Sequence, residues 1–287
     1  MMEARMVDVG EVRLHVITAA PPPGTLMREP VVLLHGFPSF WQTWRHQIGA
    51  LAAAGHPVIV PDLRGYNLSE KPSPLEAYTM ERVCGDIVGL ILTFGHESAF
   101  VAGHDWGGIV GWHLAMRHPT RVKRLAVLNA PHPMAARRAL RNPSQLLAWW
   151  YMLFFQIPWL PERVLLRPGM IARTIKAGCA NRRAFSRADL HDHETAFRQP
   201  GAATATLAWY RAIFRLPSSL GASMRPIACP TLVLWGDLDP VLGEALLEDL
   251  ETVACDLRVQ RIAAGHWLPQ EAPEEVNEAL LALWRNP

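Results

Sequence analysis

The stretch Ala99-Phe100-Val101-Ala102-Gly103-His104-Asp105-Trp106-Gly107-Gly108 decides how the rest of this chain is read. A short apolar run of strand type reaches a small-x-Asp-x-small turn, then passes straight into the helical pattern Gly108–Arg117. A strand-to-helix corner this tight has no room for side chains on its flanks, so it takes glycine there and thrusts its central residue outward. The central residue is Asp105. An aspartate here could serve only as a helix N-cap. Glycines on both sides, with acids and a histidine placed downstream, favour a nucleophile instead. No serine of the chain lies in a Gly-x-Ser-x-Gly setting, which weakens a serine-esterase reading.

Outward from this corner, β-rich runs alternate with helical patterns. The runs are Val12–Ile17, Pro30–His35, Pro57–Pro61, Ala99–Gly103, Arg124–Asn129, Pro230–Gly236 and Leu257–Ile262. Gln42–Ala54, Thr79–Phe94, Gly108–Arg117, Gly243–Thr252 and Pro273–Trp284 have helical spacing. Alternation of this kind predicts an α/β fold with a mostly parallel central sheet and helices on both faces. Between Arg124–Asn129 and Pro230–Gly236 the β-rich runs stop, and Pro143–Leu160, Pro168–Ala177, Arg187–Phe197 and Thr204–Phe214 all look helical. Charge changes at the same place. Residues 134–225 hold 14 basic and 4 acidic residues, while the remainder holds 14 basic and 22 acidic. The expected organisation is a core of residues 1–133 and 226–287 carrying an inserted helical lid at 134–225.

In parallel sheets the chemistry collects at the carboxyl ends of the strands. Those ends carry His35-Gly36-Phe37-Pro38, the Asp105 corner, Trp235-Gly236-Asp237-Leu238-Asp239-Pro240 and Gly265-His266-Trp267. A carboxylate is already ionised at neutral pH and is a weak nucleophile, best matched to a saturated carbon bearing a leaving group. Attack there would leave an alkyl ester on Asp105. Water must then cleave that ester at its carbonyl. His266 is the candidate base and Asp239 its orienting acid, with Asp237 the competing choice. The backbone N–H groups of Phe37 and Trp106 are the candidate oxyanion hole.

His35–Pro38, Arg64-Gly65-Tyr66, Gly103–Gly108, Asn129-Ala130-Pro131-His132-Pro133, Trp235–Asp239 and Gly265–Trp267 together resemble the α/β-hydrolase-fold epoxide hydrolases, in the same order and over essentially the whole chain. The resemblance implies an α/β-hydrolase core with a helical cap, and hydrolysis of a hydrophobic epoxide to a vicinal diol without metal or organic cofactor. Ring opening leaves an alkoxide-like oxygen, for which a phenol is a well-matched acid. Tyr151 and Tyr210, in Trp150-Tyr151-Met152-Leu153-Phe154-Phe155-Gln156 and Trp209-Tyr210-Arg211, are similar to the lid segments that supply paired tyrosines in that family. The bland alternative is lid packing. Phe37, Trp106, Trp150 and Phe155 are the expected walls of the substrate pocket. Haloalkane dehalogenases share the fold, nucleophile and base. Trp106 and the lid tryptophans Trp149, Trp150, Trp159 and Trp209 keep that reading open, although Phe37 stands where their asparagine is expected. Fluoroacetate dehalogenases place arginines where this chain has Trp106 and Ile109. A non-catalytic binding scaffold would expect a broken triad.

Composition narrows the rest. With 287 residues, 50% hydrophobic and 19% charged, the chain can bury a full core. A net charge of +2 gives no whole-chain argument for nucleic acid or membrane partners. The partners expected are the epoxide and water, with a homodimer left open. Cys84, Cys179, Cys229 and Cys255 form no CxxC pair, which argues against a disulfide framework or zinc cluster. No secretory signal or membrane span is evident, so a cytoplasmic location is expected. His191-Asp192-His193-Glu194 lacks metal-ligand spacing and reads as a solvated loop. Gly103–Gly111 lacks Gly-x-Gly-x-x-Gly and does not support dinucleotide binding. His104 and His132 are expected to support the site without reacting.

Overall fold

A computed structural model of the chain describes residues 2–216 and 225–285; residues 217–224, inside the expected lid span, lie outside the described residues. Eight strands form one sheet: β1 (Met2–Asp8), β2 (Arg13–Ala19), β3 (Val31–Leu34), β4 (Val58–Pro61), β5 (Ala99–His104), β6 (Val122–Leu128), β7 (Thr231–Gly236) and β8 (Leu257–Ile262). Their spatial order is β1-β2-β4-β3-β5-β6-β7-β8. Only β2 runs against its neighbours; every pairing from β4 through β8 is parallel. The α/β class and mostly parallel sheet expected from the alternating runs are therefore present.

Strands β3, β4, β5 and β7 are buried along their whole length because both sheet faces are covered. Val32, Leu34, Val101, Leu125, Val127, Val233 and Trp235 pack into one core. Val31, Leu33, Phe100, Ala102, Ala126, Leu128, Leu232 and Leu234 pack into the other. That alternation is the two-residue period of a strand read on two buried faces. Helices α2 (Met80–Thr93) and α3 (Trp106–Arg117) cover the first face, while α1 (Arg45–Ala53) and α12 (Pro273–Arg285) cover the second. Ten of the twelve residues of α3 are buried, so this helix is apolar on nearly every side rather than along a stripe.

Between β6 and β7 lies a helical insertion: α4 (Pro133–Ala139), α5 (Pro143–Ala148), α6 (Trp150–Phe154), α7 (Leu160–Leu165), α8 (Met170–Gly178), α9 (Arg187–Phe197) and α10 (Ala202–Arg215). Its buried residues, including Phe155, Leu165, Phe197, Trp209 and Tyr210, join the core on the α2–α3 face of the sheet. Among the described residues, no helix is long and apolar enough to cross a membrane.

Four local expectations need correction. Strand β1 was not anticipated, since six of its seven residues are exposed and leave no two-residue period to read. Gly243–Thr252 is not an α-helix but two short 3-10 turns, Glu244–Leu246 and Leu250–Thr252, separated at Asp249 with φ 54°. Leu246 and Leu250 bury four residues apart and so mimic helical spacing. Pro143–Leu160 is broken into α5 and α6, with Trp159 in the left-handed region (φ 50°) ahead of α7. His191–Glu194 is not a solvated loop; it lies within α9, with His193 fully buried and bonded to Ser39 Oγ at 3.0 Å.

Candidate active site

Asp105 sits between the end of β5 and the start of α3 with φ 52° and ψ −121°, a backbone conformation that costs a non-glycine residue energy. The surroundings impose it. A Cβ on Gly103 would lie 2.1 Å from the Gly107 carbonyl oxygen, and one on Gly107 would lie 2.2 Å from that of Leu34. Both approaches are backbone against backbone, so neither glycine can be replaced without opening the corner. Phe37, just beyond β3, donates its backbone N–H to Asp105 Oδ1 at 2.7 Å. The backbone N–H of Trp106 also bonds the carboxylate. Burial pushes the Asp105 carboxyl above its ordinary range, while His266 and these two amides oppose the rise.

His266 follows β8 and is buried. Its Nδ1 lies 2.7 Å from Asp239 Oδ2 and its Nε2 lies 3.7 Å from Asp105 Oδ2. Asp239 is brought to this position after β7; Asp237 instead pairs with Arg261 at 2.6 Å near the surface. The remaining capacity of Asp239 is filled. Its Oδ1 accepts from Val241 N at 2.7 Å and Leu242 N at 3.2 Å, and its Oδ2 accepts from Asn129 Nδ2 at 2.7 Å. Burial alone would lower the pKa of His266, but the Asp239 carboxylate, its hydrogen bond and the nearby Asp105 lift it to about 9. At neutral pH the free site therefore holds an imidazolium between two carboxylates.

The insertion brings Tyr151, from α6, and Tyr210, from α10, to the same place, with ring centroids 6.0 Å apart. Tyr210 packs edge-on against Trp106 at 4.9 Å, Phe155 at 4.9 Å and Phe37 at 5.3 Å. Phe155 in turn meets Phe37 at 5.6 Å. Burial pushes the pKa of both phenols well above the ordinary value, and the Asp105 carboxylate adds to the rise in each. Both are therefore protonated donors at any physiological pH. Trp150 does not join them. It is 61% exposed and packs on the partly buried Phe154, because the helix sends Tyr151 and Phe155 inward and Trp150 outward.

Three supporting residues went unassigned in the sequence. Asn129 bonds Asp239, and its Oδ1 accepts from Gly236 N at 2.7 Å. It ends the predicted strand Arg124–Asn129, and reading that strand end as closely as the others would have found it. Arg211 forks onto Glu162 and also donates to the carbonyls of Phe155 and Ile157, each at 3.0 Å, which ties the Tyr210 helix to the Tyr151 segment. Gln145 reaches from α5 to the loop after Asp239, donating to Val241 O at 2.7 Å and accepting from Gly243 N at 3.0 Å. Neither Arg211 nor Gln145 has a local signal, because each partner lies far away in the chain. His104 donates from Nε2 to the His266 carbonyl at 2.7 Å, and burial pulls its pKa well down, so it stays neutral.

This geometry is that of an α/β hydrolase, and comparison with known proteins agrees. Residues 29–273 match the family described as alpha/beta hydrolase fold. The chain is 37% identical to the AB hydrolase superfamily protein YfhM of Bacillus subtilis, covering 99% of each chain. It is 34% identical to epoxide hydrolase A of Mycobacterium tuberculosis, covering 96% of this chain and 95% of the other. An epoxide hydrolase from Bacillus megaterium, solved in complex with its naphthyloxy-propanediol product, superposes with a TM-score of 0.88 at 31% identity, covering 98% of this chain and 100% of that one. The chain belongs to the α/β hydrolase fold family, among its epoxide hydrolases.

Proposed function

We propose that the protein hydrolyses a hydrophobic epoxide to a vicinal diol through an ester on Asp105, with helices α4–α10 acting as a cap over the core. The observation that carries this reading is the carboxylate at the elbow, bonded by the Phe37 amide, beside the Tyr151–Tyr210 pair, whose rings lie 6.0 Å apart with Tyr210 4.9 Å from Trp106. Asp105 attacks a ring carbon and the carbon–oxygen bond breaks. The leaving oxygen takes a proton from Tyr151 or Tyr210, which a phenol can give and water or serine gives far less readily.

The second step uses the histidine. In the free enzyme the negative charge of its two carboxylate neighbours keeps His266 protonated. Alkylation neutralises Asp105, removes one of those neighbours, and drops the imidazole pKa towards that of a working base, so its proton passes through solvent to the tyrosinate left by ring opening. Neutral His266 then takes a proton from water as the water attacks the ester carbonyl. The developing oxyanion falls to the Phe37 and Trp106 amides, the same two donors that bond the carboxylate in the free site. Collapse expels the diol oxygen, which takes the proton of the newly formed Asp105 carboxyl, and leaves Asp105 ionised and His266 protonated as in the free site. Phe37, Phe155 and Trp106 give the substrate an apolar, aromatic surrounding.

The haloalkane dehalogenase reading asks for indole N–H groups free to hold a halide. Trp209 spends its N–H on Arg64 O at 3.1 Å, Trp106 bonds the Tyr210 phenol, and Trp150 and Trp159 are 61% and 71% exposed; of the five, Trp149 keeps a buried indole N–H without a partner. The deciding experiment gives the purified enzyme styrene oxide and, separately, a 1-haloalkane, and repeats the first with His266→Gln. Diol from the epoxide, with a substrate-sized mass increase trapped on His266→Gln, is the expected result. Halide release without diol would replace the reading with dehalogenation, and diol formation with no trapped ester would remove the covalent step.

A further inference from the structure

One carboxylate outside the triad joins the insertion to the loop that carries His266. Glu271 closes the short helix α11 (Leu268–Glu271). Its Oε2 accepts from the backbone N–H of Ala180 and of Asn181, each at 2.8 Å, and from that of Gly265 at 3.3 Å. Its Oε1 accepts from the backbone N–H of Trp267 at 3.0 Å. Ala180 and Asn181 follow α8 in the insertion, whereas Gly265 and Trp267 flank His266. Two further bonds cross the same seam. The His266 backbone N–H donates to Gly178 O and the Trp267 indole to Ile175 O, both at 2.8 Å. The contact is backbone on backbone: a Cβ on Gly265 would lie 2.5 Å from Gly178 O and 2.6 Å from Ala180 N.

We propose that Glu271 is a positioning residue that fastens the insertion to the histidine loop and thereby sets where His266 stands over the Asp105 ester. This rests on the reading of His266 as the base of ester cleavage. Only an ionised carboxylate offers enough acceptor sites for these four amides. A glutamine keeps one acceptor oxygen and turns an N–H₂ towards N–H groups. An aspartate keeps the charge but is one methylene too short to span the seam.

The charge gives a readout that simple bracing would not. The groups facing His266 are Asp239 at Nδ1, Asp105 at Nε2, His104 with its ring 5.0 Å away, and Glu271 acting at longer range to favour the imidazolium. In the ester, Asp105 no longer contributes, so Glu271 weighs more in the step where His266 must be neutral. Removing its charge moves the acid limb of ester cleavage to lower pH.

The test separates the two half-reactions with styrene oxide by rapid quench and intact-protein mass, for the wild-type chain, Glu271→Gln and Glu271→Asp. Expected is a loss of roughly 10- to 100-fold in ester hydrolysis for both variants, with the alkylation rate within about threefold. Glu271→Gln should also shift the acid limb of hydrolysis downward, and Glu271→Asp should leave it in place. Equal loss in both half-reactions, or wild-type hydrolysis with an unmoved limb, would overturn the proposal. Glu271→Asp keeps the test available if the glutamine variant does not fold. Absence of any ester in His266→Gln would instead bring down the underlying reading, so the two failures are distinguishable.

Discussion

Asp105 and the tyrosine pair serve one site from two regions of the chain that are held in different ways. Asp105, His266 and Asp239 stand at strand ends, and hydrogen bonds of 2.7 Å from Phe37 N, His266 and Asn129 fix the carboxylates. Tyr151 and Tyr210 come from the helical insertion and are placed by aromatic edges, at 4.9–6.0 Å, and by the Arg211–Glu162 fork behind them. The first region is built from backbone geometry that admits little substitution. The second is built from packing, which tolerates shape changes of side chains better than it tolerates loss of volume. On the proposed mechanism the strand ends supply the nucleophile and the base, and the insertion supplies the proton donors.

The largest effect should come from the first region. Asp105→Ala is expected to abolish turnover, by roughly 10⁴-fold or more in kcat, because the proposed mechanism forms its ester on Asp105. Residual turnover within tenfold of wild type, measured as diol, would show that the strand-end region does not supply the nucleophile. In the second region, Tyr151→Phe and Tyr210→Phe should each slow alkylation by roughly 10- to 100-fold, and the double variant by more than either. If the double variant keeps wild-type alkylation in a rapid-quench assay, the phenols only pack.

The two regions should also differ in how pH acts on stability. His266 is raised in the folded state to about 9, against about 6.5 when unfolded, so folding favours its protonated form. Its contribution is therefore full below about pH 6.5 and is lost as pH rises through about 9. Urea unfolding should show a decline of about 3 kcal/mol across that window, absent in His266→Gln. An equal decline in the variant would place its cause elsewhere. The smallest effect belongs to Trp150→Ala. With the indole 61% exposed, stability should move by less than about 0.5 kcal/mol and kcat/KM should hold. A tenfold loss in kcat/KM would return Trp150 to the pocket and blur the inward and outward faces of α6.

How far the sequence could be read follows the same division. The inner strands β3, β5 and β7 were legible because a strand covered on both faces is a nearly continuous apolar run, and Asp105 and Asp239 lay just past two such ends, whereas His266 follows the mostly exposed edge strand β8. Strand β1 was not, since almost all of it faces solvent. In the insertion, Arg187–Phe197 was read with its observed bounds, helped by the Ser186–Asp189 capping box. Pro143–Leu160 failed at its breaks: Trp149 carries no sequence signal for the backbone it adopts, whereas Pro158 and Pro161, on either side of the Trp159 break, were readable as breakers.

What the chain's letters determine alone is local: a Gly-x-Asp-x-Gly corner must be tight because Gly103 and Gly107 leave nothing else to fit there, and a carboxylate at its apex follows. What required the folded molecule is every relation across the chain. His266 finds Asp239 from 27 positions away, Arg211 finds Glu162 from 49, and Glu271 finds Ala180 from 91. Such pairs obey no period or spacing, because they are chosen by where strands and helices pack and not by how residues follow one another.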